Sequence, residues 1–504
     1  MPNTTPEGAS RRTTRSRLLT RRAIDGAVNN NLLVVMILVL ATVLLAIGPE
    51  LFVADSWLTL VSGREITHHG LPHHETLTTI PLGRTWTDQQ WLGQLVFYGL
   101  DRLGGLGLMV LFHSLMVSGA LAITVIASRV RGASSRMTLV VAVICLLVAP
   151  WSWQLRAQSI ALPLFALTLA LAATDPRLAA RRTFLVFPTL VLWANVHGSV
   201  VLGAALVSFA GALGLLELIL RRSGEAEAVP PWHPALFLVA PWACVLASPY
   251  GTDLIAYYRL LLVDSPVSKT ISEWKAPQPH GYLLIFFAVA AATVVIAIWQ
   301  RRRLSRYDLG VLALTLAGAW RSGRGIVWFS IAVAMLLPLA LDGVVRPSPS
   351  SPVHRRLAYG LTGAFAAILA ATAAITLARG DSWYEQGWPA RAARATARAT
   401  LASGVQGAVW PSDKFADWLL WKEPSLRGRV AWDVRFELLT DAEIHSVVVF
   451  KHHRPGWRGR VRGYPVLVLD PRTSPATVRA LRNEPGTHVL FANSEVVVLT
   501  RSTP

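Results

Sequence analysis

Residues 32–48 read LLVVMILVLATVLLAIG, a run without a single charged side chain. Such a run is at home only where water does not compete for its surroundings, and there the backbone can satisfy itself only by coiling into a helix. The flank before it, residues 1–31, is polar and basic, with Arg11, Arg12, Arg15, Arg17, Arg21 and Arg22. A basic flank and an apolar run also describe a secretory signal. No small-residue cleavage motif stands before Pro49, however, and further apolar runs follow. The reading is therefore a retained first span with its N-terminus in the cytoplasm.

Ten more runs lie at 105–127, 138–150, 159–173, 183–196, 198–220, 235–249, 281–300, 309–320, 325–341 and 357–378. They predict an α-helical polytopic membrane protein of about eleven spans. Several are shorter than the roughly 20 residues a crossing needs, so they are extended by polar flanks or broken beside a cavity. Composition agrees: 53% of residues are hydrophobic and 15% charged, where a soluble chain carries about a quarter charged. The net charge of +19 does not point to nucleic acid, because much of it sits in short loops between apolar runs. Cys145 and Cys244 both lie inside apolar runs and read as small buried hydrophobes. The arginine and alanine bias suggests a GC-rich bacterial genome.

Lysine and arginine set the expected orientation. The N-terminus and segments 128–137, 174–182, 221–234, 301–308 and 342–356 hold twenty-one, against nine in the opposite loops before residue 379. The N-terminus is thus expected inside and the C-terminus outside, in a bacterial cytoplasmic (inner) membrane. The domains follow: a basic cytoplasmic segment 1–31, a transmembrane domain 32–378 with long outside loops 49–104 and 248–280, and an extracytoplasmic α/β domain 379–504. Within the first loop, WLGQLVFYGLDRL (residues 91–103) has the apolar spacing of an interfacial helix. Within the last domain, helices are expected over 386–403 and 474–483. Strands are expected at GAVW, RVAWDV, HSVVVF, YPVLVLD, THVLFA and EVVVLT.

Asp55 is the first candidate for chemistry. It closely follows the first span, where a carboxylate can act as general base on a hydroxyl; equally, it precedes an apolar-periodic stretch and could cap a helix. His68, His69, His73, His74 and Glu75 lie on a Gly/Pro turn rather than at the i, i+4 spacing of a metal-binding helix. A solvated loop is the expectation, with no metal site. Arg156, Arg321, Arg324 and Arg259 could face one cavity and hold a phosphate, or snorkel as span flanks. Arg156 stands out because outside arginine runs against the topology signal. Asn195 and His197, in WANVHGS, interrupt an apolar region, as residues facing a bundle interior do. Glu273 and Trp274, in SEWKAP, could bind a sugar by carboxylate and stacking ring, or anchor the interface.

The first loop, DSWLTLVSGREITHHGLPHHETLTTIPLGRTWTDQQWLGQLVFYGLDRLGGLGLMVL, resembles the opening module of bacterial multi-spanning proteins of the GT-C glycosyltransferase superfamily. NVHGS, SPYG and EW..P occur in the same order in those proteins. So does a segment like DWLLWKEPSLRGRVAWDVRFELL, in which Asp433 and Arg435 match a D.R element. The resemblance implies a polyprenyl-phosphate-linked sugar donor and a carboxylate base in the first outside loop, which Asp55 matches. Relatives often place a second acidic residue beside that Asp, where this chain has Ser56, and many show Asp where it has Glu75. A metal-dependent oligosaccharyltransferase-like mechanism is therefore not implied, and no cofactor is expected.

The reading is a membrane glycosyltransferase passing a sugar, with inversion, from the lipid-phosphate donor to a glycan, lipid or protein acceptor at the outer face. Asp55 would be the base, and Arg156, Asn195, His197, Glu273, Trp274, Arg321 and Arg324 would bind substrate. The partners are donor, acceptor and bilayer, without nucleic acid. Two other classes compete: a transporter or flippase of lipid-linked solutes, and a non-catalytic envelope-assembly protein. A transporter would more often show paired halves and buried span carboxylates.

Overall fold

The computed structural model describes residues 31–148, 153–175, 178, 180–220, 230, 232–262, 272–344, 352–405 and 407–501. The basic segment 1–30, the charged connections at 221–229 and 345–351, and the part of the second long loop carrying Lys269 lie outside the described residues.

Each of the eleven apolar runs carries a helix among its described residues. In chain order they are α1 (Asn31–Ala46), α3 (Trp91–Val130), α4 (Ser135–Val148), α5 (Gln158–Ala173), α6 (Val186–Ala194), α7 (Val200–Leu220), α8 (Trp232–Val245), α10 (Leu283–Trp299), α11 (Arg306–Arg321), α12 (Ile326–Leu341) and α13 (Pro352–Ala378). Two further helices stand in the long loops: α2 (Ala54–His69) and α9 (Asp253–Leu262). Among the described residues, four segments are long and apolar enough to cross a membrane: Trp91–Val130, Val200–Leu220, Gly323–Leu341 and Tyr359–Ala378. The chain is an integral membrane protein. Position in the bundle differs sharply between the last two segments, whose apolar stretches are 72% and 6% buried. Thus α12 is the central helix, while α13 packs on α1 and α3 and leaves most of its surface to lipid.

Helix α3 is broken inside. Gly104 and Gly105 leave helical geometry, Gly105 at φ +66°, a conformation glycine adopts without steric cost. The break separates the expected helix 91–103 from the apolar run beginning at 105. The Asp381 carboxylate accepts the Leu106 N–H at 3.0 Å and so caps the second half. A Cβ on Gly105 would stand 2.8 Å from that same carboxylate oxygen.

The C-terminal part is a small α/β unit. Strands β1 (Val409–Pro411), β2 (Val466–Leu469), β3 (Thr487–Ala492) and β4 (Val497–Arg501) form one sheet in the order β1-β2-β4-β3. Strands β1 and β2 are parallel (Val409 opposite Val466), and the other pairs are antiparallel. Helices α14 (Ala390–Ser403), α15 (Ala416–Lys422), α16 (Asp441–Lys451) and α17 (Pro475–Arg482) accompany it. Two expected strands differ. HSVVVF is helical, within α16: Thr440 and Glu443 close a capping box at its start, and Ile444, Val447 and Phe450 bury one face. Cap and three-residue spacing override the β preference of the valines. RVAWDV is extended but makes only isolated bridges, with Val430 pairing Val409 and Thr78.

This unit is welded to the helical body rather than tethered to it. Trp57 of α2 meets Trp388 edge-on at 5.3 Å, and Trp388 meets Trp418 of α15 at 6.1 Å. All three rings belong to one apolar core with the body helices. Arg64 donates to the Leu420 and Trp421 carbonyls at 2.7 and 3.0 Å. Arg84 makes a two-pronged pair with Glu443 at 2.6 and 2.7 Å.

Candidate functional site

The site begins at a short pairing between two distant segments. Phe52 bridges Leu155, whose N–H donates to the Leu51 carbonyl at 2.8 Å. Ser56 tightens the joint: its hydroxyl donates to the Leu155 carbonyl and accepts the Val53 N–H. The joint places the first turn of α2, with Asp55, beside the residue after Leu155, which is Arg156. The N-cap of α2 is Val53, and no side chain caps it. Asp55 is therefore not the cap, and its carboxylate is left for other partners.

Those partners are two guanidinium groups. Arg156 Nη1 lies 3.2 Å from Asp55 Oδ2 and 3.4 Å from Glu273 Oε2. Arg324 Nε lies 3.1 Å from the same Glu273 oxygen, and its Nη2 lies 3.9 Å from Asp55 Oδ2. Two carboxylates and two arginines thus alternate around one point. Arg156 is 8% exposed, whereas Asp55, Glu273 and Arg324 are each about a third exposed. The first is walled in and the other three remain open to a ligand. Burial of Arg156 pulls its pKa down, but the facing Asp55 and Glu273 carboxylates outweigh it and hold it above its ordinary value.

Glu273 and Arg324 are positioned together by backbone. Ser322 Oγ donates to the Glu273 carbonyl at 3.1 Å, and the Gly323 N–H donates to the Lys275 carbonyl at 3.0 Å. The approach is close at Gly323, where a Cβ would stand 3.3 Å from the Glu273 carbonyl oxygen. Arg324 also lies over the Trp274 ring at 4.8 Å. Trp274 in turn packs on the apolar cluster around Trp410, Trp432 and Phe436, so the C-terminal unit forms one wall of the site.

His197 adjoins the cluster electrically. Burial first, then the charges of Arg324 and Arg156, push its pKa down to about 3, so the ring is neutral. Its Nδ1 accepts the Ser199 N–H at 3.1 Å, which leaves the proton on Nε2. Two other candidates do not join. The Asn195 amide donates to the Val191 and Ala247 carbonyls, both at 2.8 Å, and accepts Trp91 Nε1 at 2.9 Å; it ties three segments together. Arg321 is exposed and donates to the Leu262 carbonyl at 3.0 Å. Arg259 sits in the last turn of α9.

The histidine-rich turn resolves differently from a solvated loop at one residue. Glu75 is 1% exposed and faces Arg435 of the C-terminal unit at 2.5 Å. Asp433 makes a forked pair with the same guanidinium, Nε to Oδ2 at 2.9 Å, and Trp86 stacks over it at 4.3 Å. Beside them Asp417 is fully buried, and burial, with Asp433 next to it, pushes its pKa well up. Asp417 opens α15, which packs on α2, and it feels the charge of Asp55. Asp433 and Arg435 carry the D.R resemblance, but no local pattern announces that Glu75 and Asp417 join them, since the members come from the first loop and two parts of the C-terminal unit. Among the described residues, no three His, Cys, Asp or Glu side chains are grouped to hold a metal ion.

No family model matches the chain, and no curated protein matches its sequence. Among solved structures it is similar to ArnT from Cupriavidus metallidurans bound to undecaprenyl phosphate, at 14% identity and a TM-score of 0.49, over 92% of this chain and 97% of that one. It is also similar to the arabinofuranosyltransferase AftD from Mycobacteria, at 16% identity and a TM-score of 0.43, over 92% of this chain and 40% of that one. A third is the oligosaccharyltransferase of Archaeoglobus fulgidus tethered with an acceptor peptide, at 10% identity and a TM-score of 0.42, over 93% and 74% of the two chains.

Proposed function

We propose that this chain is a membrane glycosyltransferase that takes its sugar from a polyprenyl-phosphate donor. The observation that supports it is the Asp55 carboxylate, a third exposed and aimed at Arg156 and Arg324. A base for an acceptor hydroxyl and two cations for a leaving phosphate stand within one ligand's reach. The sequence resemblance of the first loop places its base at the same residue. In the reaction, Asp55 takes the proton of the acceptor hydroxyl as that oxygen attacks the anomeric carbon. The bond from that carbon to the phosphate oxygen breaks on the opposite face, inverting the centre. The departing phosphate dianion is stabilised by Arg156 and Arg324, which exchange carboxylate partners for phosphate oxygens. Neutral His197 supplies an Nε2–H beside them.

The test is consumption of a radiolabelled undecaprenyl-phosphate sugar by membranes containing the chain. Wild type should release undecaprenyl phosphate, and Arg156→Lys should lower donor binding or turnover by about 10–100-fold, the value of a lost charge-assisted hydrogen bond. Lysine keeps the charge but cannot form the paired, directional bonds of a guanidinium. A snorkelling anchor would tolerate lysine, so equal activity at matched protein levels removes the phosphate assignment. Lipid-linked sugar moved across vesicles without being consumed would favour the transporter reading instead.

Orientation has its own test. Reporter fusions near residue 303 should be cytoplasmic and fusions after 380 extracytoplasmic, as the arginine distribution predicts. A cytoplasmic C-terminal unit would place the Asp55 cluster on the wrong face for an outer-leaflet acceptor.

A further inference from the structure

Next to the charged cluster lies a second polar group of different chemistry. The turn before α3 carries Asp88 and Gln89, and the first turn of α3 carries Gln94; they are 3%, 6% and 3% exposed. Asp88 Oδ1 accepts Gln94 Nε2 at 2.9 Å and the Gln90 N–H at 3.3 Å. Yet Asp88 Oδ2, Gln89 Oε1, Gln94 Oε1 and the Tyr258 hydroxyl are buried without a hydrogen-bond partner. A buried oxygen left unsatisfied costs on the order of 1–3 kcal/mol, so a partner that donates hydrogen bonds to these four is favoured there.

Three things place these oxygens. A Cβ on Gly198 would stand 3.2 Å from Gln89 Oε1 and 3.5 Å from the Tyr258 ring, so the Gln89 amide faces the His197–Gly198 turn. The Gln89 side-chain amide is hydrogen-bonded to Tyr257 of α9, which also feels the charges of Glu437 and Asp88. Glu437 in turn feels Arg324. First loop, α9, the 197–198 turn and the C-terminal unit therefore converge on one region, one residue beyond His197 and hence beside the arginines.

The unpaired atoms are oxygens: the two glutamine carbonyls are pure acceptors, the Asp88 carboxyl can accept or donate, and Tyr258 adds a hydroxyl. A phosphate, which offers mainly acceptors, leaves the two amide oxygens unmet. The complementary ligand is neutral and rich in O–H donors. We infer that Asp88, Gln89, Gln94 and Tyr258 form a sugar-binding subsite that reads hydroxyl groups, set beside the cations that would hold phosphate. The choice of a sugar rests on the glycosyl-transfer reading; the need for a donor-rich occupant does not. Burial pushes the pKa of Asp88 up to about 7, so this carboxyl can serve a sugar hydroxyl as acceptor or donor. The hydroxyls could belong to the donor sugar or to a glycan acceptor.

Gln89→Met and Gln94→Met keep length and remove the acceptor. Each substitution also removes an amide donor, Gln94 Nε2 to Asp88 and the Gln89 amide to Tyr257, so the detergent-solubilised full chain should unfold at the same or a modestly lower temperature. Thermal shifts are then read with undecaprenyl phosphate, with undecaprenyl-phosphate-linked glucose, and with free glucose, mannose, galactose, glucosamine and arabinose. An acceptor subsite predicts that a free sugar stabilises wild type even with undecaprenyl phosphate saturating, and that the variants bind it about tenfold more weakly. A donor subsite predicts no free-sugar shift, but extra stabilisation by the glucosylated lipid over the bare lipid, lost in the variants. Equal sugar responses in wild type and variants overturn the inference, as does no response to any sugar. If free sugars stabilise wild type while undecaprenyl phosphate does not, the proposed function fails and the subsite stands.

Discussion

Asp55→Asn should lower turnover by about 10²–10⁴-fold, the range a positioned general base contributes, while expression and undecaprenyl-phosphate binding persist. The structure makes this substitution clean. Asp55 lies inside the first turn of α2, and the Val53 N–H is served by Ser56 instead, so the helix does not depend on the carboxylate. Asparagine matches its size, and the loss of one negative charge leaves Arg156 and Arg324 still paired with Glu273. Phosphate binding should hold or tighten as a competing anion is removed. Single-turnover consumption of the lipid-linked sugar separates the two effects. Activity equal to wild type at matched protein levels would show that Asp55 is not the base, and would leave Glu273 as the carboxylate to test.

Arg435→Met should cost about 3–5 kcal/mol of stability, the usual penalty for removing one partner of a buried ion pair. Arg435 is 2% exposed, and it is the cation that Glu75 and Asp433 share, with Asp417 beside them. Methionine fills much of the space but leaves buried carboxyls with no counter-charge, so they must take up protons or draw in water. Because Glu75 belongs to the first loop, the damage should appear as detachment of the C-terminal unit, read as protease cleavage after residue 379 and a lower unfolding temperature. Adding Glu75→Gln should recover part of the loss by removing one stranded charge. A single variant as stable as wild type would mean that apolar packing alone, through Trp57, Trp388 and Trp418, holds the unit in place.

The two predictions differ in how far their residues could be read beforehand. Asp55 stands at a position the sequence singles out, directly after the first apolar run. Arg156 stood out as an outside arginine, Arg324 as a flank arginine, and Glu273 and Trp274 as a carboxylate and ring in SEWKAP; in the structure both arginines face Asp55, Glu273 joins through them, and Trp274 lies against Arg324. Asn195, which interrupts an apolar region, and Arg321, a flank arginine, were candidates too, but their polar groups are spent on carbonyls. An interruption shows that a polar group must be satisfied, not by what. Asp88, Gln89 and Gln94 were legible only as part of the first loop's resemblance and not as a site, because TDQQW in a loop is ordinary until burial leaves its oxygens without partners. Glu75 was hidden in a histidine-rich turn that looked solvated.

The sequence by itself determined the helices of the membrane body and the small α/β unit after it. An uninterrupted apolar run has a single solution for its own backbone wherever it lies, so each run could be read without knowing its neighbours. The boundary between the helix expected over 91–103 and the span beginning at 105 was legible too, but not the glycine geometry that makes it. Tertiary structure alone decided which charge meets which. Arg156 reaches Asp55 across 101 residues and Glu273 across 117, and HSVVVF became a helix because a cap and a buried face outweighed its β-branched residues. Periodicity records how one segment meets its surroundings; an ion pair or an unpaired buried oxygen depends on two or more segments at once, and only packing brings those together.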